Sequence, residues 1–159
     1  MANKSLLAGW PLARKIGATC FIVTLLLGYL IAVLQIYDRS HFDMQKTVQY
    51  YRGEESKDPN SIFMPQSFTS MLSVSHVHTL SQPLMFGLLA LIFSFSILSE
   101  KTKAVFIILG FSGSVLSNLA PWLIRYVAGG NVTLLPISQT MMMLSLMVMG
   151  IISIKEMWV

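Results

Sequence analysis

The sequence predicts an all-α integral membrane protein: a four-helix bundle, residues 1–159 in one membrane domain, with one outer loop of about 35 residues. Three observations predict it. Hydrophobic residues make up 54% of the chain and charged residues only 11%, less than half the usual share of about 25% in soluble domains. Mean hydropathy is +0.66. The charges cluster, which leaves four long runs without any, each able to supply the roughly 20 apolar residues that cross a bilayer as a helix.

The runs cover residues 16–37, 78–98, 104–124 and 133–154. All four contain Gly, Ser or Pro, which membrane helices tolerate because packed neighbours satisfy the freed backbone groups. None shows the strict alternation of a membrane β-barrel. The first run is too long for the apolar core of a signal peptide, and no small-residue cleavage site follows it before "IYDRSHF". It is therefore expected to stay as a membrane helix. The single cysteine, Cys20, falls inside it, which excludes an intrachain disulfide and makes the thiol a small buried apolar residue.

Basic residues near helix ends set orientation. Lys4, Arg14 and Lys15 precede the first run, Lys101 and Lys103 occupy the turn between the second and third, and Lys155 follows the fourth. The other side has Arg125 in a short loop and Arg39, Lys46, Arg52 and Lys57 in a long one, where Asp38, Asp43, Glu54, Glu55 and Asp58 offset them. This asymmetry puts both termini in the cytoplasm and the loop 38–70 outside. The net charge of +4 then reflects topology. No basic, aromatic-interleaved patch points to nucleic acid.

Within the loop, "SHFDMQKTVQYY" reads as a short helix with Ser40 as N-cap and Asp43 in its first turn. "YYRGEESKDPNS" carries turn residues. The stretch around Ile62, Phe63, Phe68, Met71 and Leu72 fits two placements: a segment lying on the membrane surface, or a continuation of the second membrane helix. Trp10, Tyr37, Trp122, Tyr126 and Trp158 fall at predicted boundaries, as an aromatic belt does.

Polar side chains inside membrane spans are functional candidates, because placing them there is costly. His76 and His78 stand at the outer end of the second run, with Gln82 one turn below His78. Asn118, Trp122 and Arg125 share one face of the third by their i, i+4, i+7 spacing. Gln139 lies in the outer half of the fourth, and His41 follows the first. Four readings compete. Gln82, Asn118, Trp122, Arg125 and a histidine line a quinone pocket. Alternatively, His76 or His78 with His41 holds haem b, Arg125 pairing with its propionates. A third reading gives copper to His76 and His78 in a Met-rich bundle, although two histidines about 200° apart on one helix cannot share an ion unless the helix begins between them. The fourth has no cofactor: interfacial histidines on a purely structural or assembly subunit. Gly110, Gly113, Ser114 and Ser117 form a small-residue stripe suited to close helix packing. No P-loop, nucleophile triad, haem-attachment motif or dinucleotide fingerprint occurs, which favours a non-catalytic subunit over a standalone enzyme.

The segments containing Arg52, Gly53 and Glu54, then His76 and His78, then residues 121–126 and 156–158, resemble a group of small bacterial four-helix inner-membrane proteins. Ser73, where an acid is expected, departs from that pattern. The resemblance implies company with respiratory or multihaem cytochrome systems, and hence an accessory, quinone-facing role. The reading as a whole is an integral membrane subunit of a larger electron-transfer (respiratory or photosynthetic) complex. It lines a quinone or haem site near the outer face, with other membrane subunits, the lipid bilayer and a periplasmic c-type cytochrome as partners. The metal-handling and structural readings stand as alternatives.

Overall fold

A computed structural model describes residues 6–53 and 64–159. The expected turn over Glu54, Glu55, Lys57 and Asp58, the apolar pair Ile62 and Phe63, and Lys4 lie outside the described residues. Five helices follow one another: α1 (Leu12–Ser40), α2 (Met44–Arg52), α3 (Phe68–Ser94), α4 (Glu100–Tyr126) and α5 (Leu134–Trp158). The four long ones run up, down, up and down, and each is long and apolar enough to cross a membrane. Both termini thus lie at one end of the bundle and α2 at the other.

Boundaries follow local chemistry. α3 starts at Ser67, whose hydroxyl accepts from the Ser70 amide, so the second of the two placements holds: the chain from Phe68 is already membrane helix. At about 40 Å for its 27 residues it exceeds the hydrocarbon core of about 30 Å. It ends at Ser94, earlier than the expected 98. Ser94 Oγ donates to the Leu91 carbonyl, and Lys103 Nζ reaches back to the Ser94 carbonyl at 2.8 Å while pairing with Glu100. That buried lysine serves as a cap supplied by the next helix.

α2 corrects the expected N-cap. Ser40 is the last residue of α1, its hydroxyl donating to the Ile36 carbonyl. His41 and Phe42 then take left-handed backbone angles, which ends the helix abruptly at a steric cost of about 1–2 kcal/mol per residue. Asp43 is the cap: its carboxylate accepts the Gln45 and Lys46 amides, where the helix dipole favours negative charge. α2 then lies across the bundle end. Arg52 Nη1 donates to the Ile124 carbonyl at the end of α4, and Val48 packs against Gly129 in the turn before α5. Asn131 caps α4 through the Leu123 and Ala128 carbonyls.

Packing is tightest between α4 and α5. A Cβ on Gly110 would come within 2.5 Å of Ser145 Oγ, and one on Gly113 within 2.9 Å of Met142 Cγ. Without a hydrophobic force between helices in lipid, such small residues are what lets backbones approach. Ser145 Oγ donates across the interface to the Phe106 carbonyl. The buried core (Leu7, Ile22, Leu89, Phe93, Leu146, Met149, Met157) gathers toward the termini. There Trp158 Nε1 donates to Thr19 Oγ1, and Glu156 accepts the Ile97 amide. Cys20 is exposed on the outer side of α1 rather than buried in the bundle.

Candidate functional site

The other half of the bundle is open. α1 leans on α5 through Ile22 against Gly150 and through the Tyr29 hydroxyl, which donates to the Gln139 carbonyl at 2.8 Å. Toward α3 it leaves a gap. The result is a cavity of about 680 Å³ between α1 and the α3–α5 unit, closed at one end by α2, within the range of about 300–1,000 Å³ usual for small-molecule sites.

The cavity has two ends of different chemistry. Phe21, Leu25, Met85, Phe86, Met142 and Leu146 line the end toward the termini. Gln35, His78, Gln82, Ser117, Asn118 and Gln139 line the part toward α2. Two amides of this polar part, Gln82 and Asn118, hold each other. Gln82 Oε1 accepts from Asn118 Nδ2 at 2.8 Å and from Ser114 Oγ at 2.9 Å, with Ser117 Oγ at 3.4 Å. Asn118 Nδ2 also donates to the Ser114 carbonyl. Because Asn118 can only donate through nitrogen, this network fixes both amide orientations. It leaves the Gln82 amide hydrogens and Asn118 Oδ1 without partners among the described residues. A donor and an acceptor therefore remain for a ligand. Pro121, also in the lining, has no N–H to give the Ser117 carbonyl one turn earlier, which frees a further acceptor.

Of the sequence candidates, His78, Gln82 and Asn118 line this cavity, and His76, His41, Trp122 and Arg125 do not. α3 is helical from Phe68, eight residues before His76, so the two histidines point to different sides and do not form a chelating pair. The His41 ring stacks on Tyr37, and its Nδ1 donates to the Tyr37 carbonyl. A haem held between His41 and His78 gains no support from this arrangement. Among the described residues, no three His, Cys, Asp or Glu side chains converge. Trp122 Nε1 donates to Ser75 Oγ at 2.7 Å, and its ring stacks on Tyr126. Arg125 Nε donates to the Gln66 carbonyl. Both tie α4 to the start of α3.

Residues that the sequence reading missed complete the polar end: Tyr29, Gln35, Arg39, Tyr50 and Tyr51. A signal existed in α1, where Gly28, Ala32, Gln35 and Arg39 form one stripe at four- and three-residue steps, small below and polar above. Tyr50 and Tyr51 belong to α2, and only the tertiary fold brings them here. Burial pushes the Tyr51 phenol up to about 12, aided by the neighbouring Tyr50 and opposed by Arg39.

A family model described as a transmembrane helical domain, Aq_1264_TM, matches residues 41–159. The match begins just after α1, so the cavity wall that α1 supplies lies outside the matched segment. No curated protein and no solved structure matches the chain.

Proposed function

The chain belongs to the Aq_1264_TM family of transmembrane helical domains, and from that premise we propose that it is a multi-pass membrane subunit that holds a quinone-class ligand in the cleft beside α1. The observation that carries this reading is the unpaired donor and acceptor of Gln82 and Asn118, set above an apolar chamber. A quinone is a flat apolar ring with two carbonyls and an apolar tail. Its carbonyl accepts from the Gln82 amide, its reduced hydroxyl donates to Asn118 Oδ1, and the tail follows Phe21, Leu25 and Met142. Among the described residues no charged side chain bonds to the amide pair, which suits a neutral head.

His78, one turn from Gln82 on the same face of α3, is placed to exchange a proton when the bound ring changes redox state. The electron partner is another subunit of an electron-transfer complex in the bacterial inner membrane. The basic residues at the termini end support a cytoplasmic position for that end, and on this reading the cleft opens near the periplasmic face.

The test is the quinone content of protein purified from native membranes in mild detergent. Wild-type protein is expected to carry quinone near one per chain. Gln82→Leu and Asn118→Leu are expected to lower it about tenfold or more, because unmatched polar groups discriminate strongly. The lipid-facing Ile108→Ala is expected to leave it unchanged. Wild-type protein with no quinone, or content indifferent to Gln82 and Asn118, sinks the proposal.

A further inference from the structure

A second, smaller pocket of about 90 Å³ opens beside the cleft under α2. Its chemistry differs from that of the amide pair. The polar side chains around it include Arg39, Tyr50, Tyr51, Ser75, His78 and Asn118, with no carboxylate among the described residues. Among the described residues, Arg39 is its one fully charged group. The guanidinium lies over the Tyr50 ring, 5.5 Å from its centre, and among the described residues it has neither a carboxylate partner nor a hydrogen bond. Its planar N–H groups therefore remain free.

Two hydroxyls beside it can donate as well. Ser75 Oγ already accepts from Trp122 Nε1, which leaves its own proton to give. Tyr51 stays a protonated phenol across the physiological range. A guanidinium and hydroxyl donors, with no acid beside them among the described residues, fit an oxyanion. The volume is about that of three waters in the liquid, enough for a phosphate.

Position decides the source of that phosphate. α1 has 29 residues, about 43 Å of helix against a hydrocarbon core of about 30 Å. Its last turn, with Arg39, therefore stands at the depth of lipid headgroups. Val74 lines both cavities, Val77 lines the larger, and they are 55% and 58% exposed, so the rim is open to acyl chains rather than sealed toward water. We propose that this pocket binds the phosphate of an anionic phospholipid, with Arg39 as its principal ligand and the lipid chains laid against Val74 and Val77 at the cleft's lateral opening. His78 and Asn118 border this pocket as well as the cleft, but Arg39, the principal phosphate ligand, has no part in the quinone reading, so the two proposals fail separately.

The test is native mass spectrometry of the full chain released from phosphatidylglycerol-containing micelles, with retained lipid counted, and with phosphatidylcholine and inorganic phosphate as separate competitors. Wild-type protein is expected to retain one phosphatidylglycerol that phosphatidylcholine displaces poorly. Arg39→Gln is expected to weaken retention about tenfold or more, Arg39→Lys less, and Arg125→Gln, outside the pocket, not at all. Displacement by millimolar inorganic phosphate would overturn the lipid assignment in favour of a free anion. Equal retention by wild type and Arg39→Gln would overturn the site itself. Gln82→Leu is expected to keep the lipid, which separates this outcome from failure of the quinone site. A circular-dichroism spectrum matching wild type confirms that Arg39→Gln is folded.

Discussion

The two halves of the bundle solve the same problem in opposite ways. Toward the termini, α4 and α5 approach until Gly110 and Gly113 leave no space for a methyl group. The core there closes over Leu89, Phe93, Met149 and Met157. Toward α2, α1 presents an equally small stripe with Gly28 and Ala32, yet a Cβ on Gly28 would meet nothing within 4 Å. The difference lies in the facing helix. In lipid, helices associate through packing and hydrogen bonds. Gln82 on α3 makes its bonds to α4 instead of reaching across to α1. The cleft therefore results from where α3 directs its polar groups.

The largest expected effect breaks this comparison at its centre. Gly113→Leu is expected to destabilise the bundle by about 1–3 kcal/mol or more through overpacking, read by thermal unfolding in detergent. Gly28→Leu is expected to stay within about 0.5 kcal/mol while filling part of the cleft and lowering bound quinone. Equal losses from the two would erase the distinction.

Next in size is Gln82→Leu. Hydrogen bonds between membrane helices are worth about 0.6 kcal/mol on average and up to about 1.7. Loss of the Ser114 and Asn118 contacts is expected to lower stability by about that upper value, with Ser114→Ala costing less. Lys103→Met tests the closed half. It removes the cap on the Ser94 carbonyl and is expected to cost about 1 kcal/mol. Its partner Glu100 is exposed, so no buried charge is stranded.

The smallest effect is alkaline. Tyr51 has a folded pKa raised from 10.0 to about 12. The fold favours the neutral phenol, so this contribution is complete below pH 10 and is lost as pH rises through 12. Ultraviolet titration is expected to lose the signal of one late-titrating phenol in Tyr51→Phe. A late phase of undiminished size in the variant would assign it elsewhere.

Much of this molecule is legible in its sequence. Charge-free runs locate the four long helices because a bilayer imposes length and apolarity directly. Gln82 and Asn118 stand out because amides are rare in such runs. The helix ends are harder to read. α3 stops at Ser94 because Lys103 caps it from the next helix, a tertiary contact without a local signal. Asp43 rather than Ser40 starts α2 because α1 runs on to Ser40 before His41 and Phe42 turn the chain. Arg125 and Trp122 shared a face with Asn118 by spacing, but the start of α3 and the segment before it claim both. Arg39 did not register as a site residue because it sits among the balanced charges of the loop, and its neighbours Tyr50 and Tyr51 arrive from a separate helix.

The central claim is that the open half holds the quinone. Photolabelling with an azido-quinone in native membranes, followed by peptide mapping, tests it most directly. The account predicts label on residues 21–36 of α1 and on the α3 and α4 segments around Gln82 and Asn118, reduced in Gly28→Leu. Label spread over the lipid-facing residues Val105, Ile108 and Val115, with the cleft segments unmarked, would contradict it.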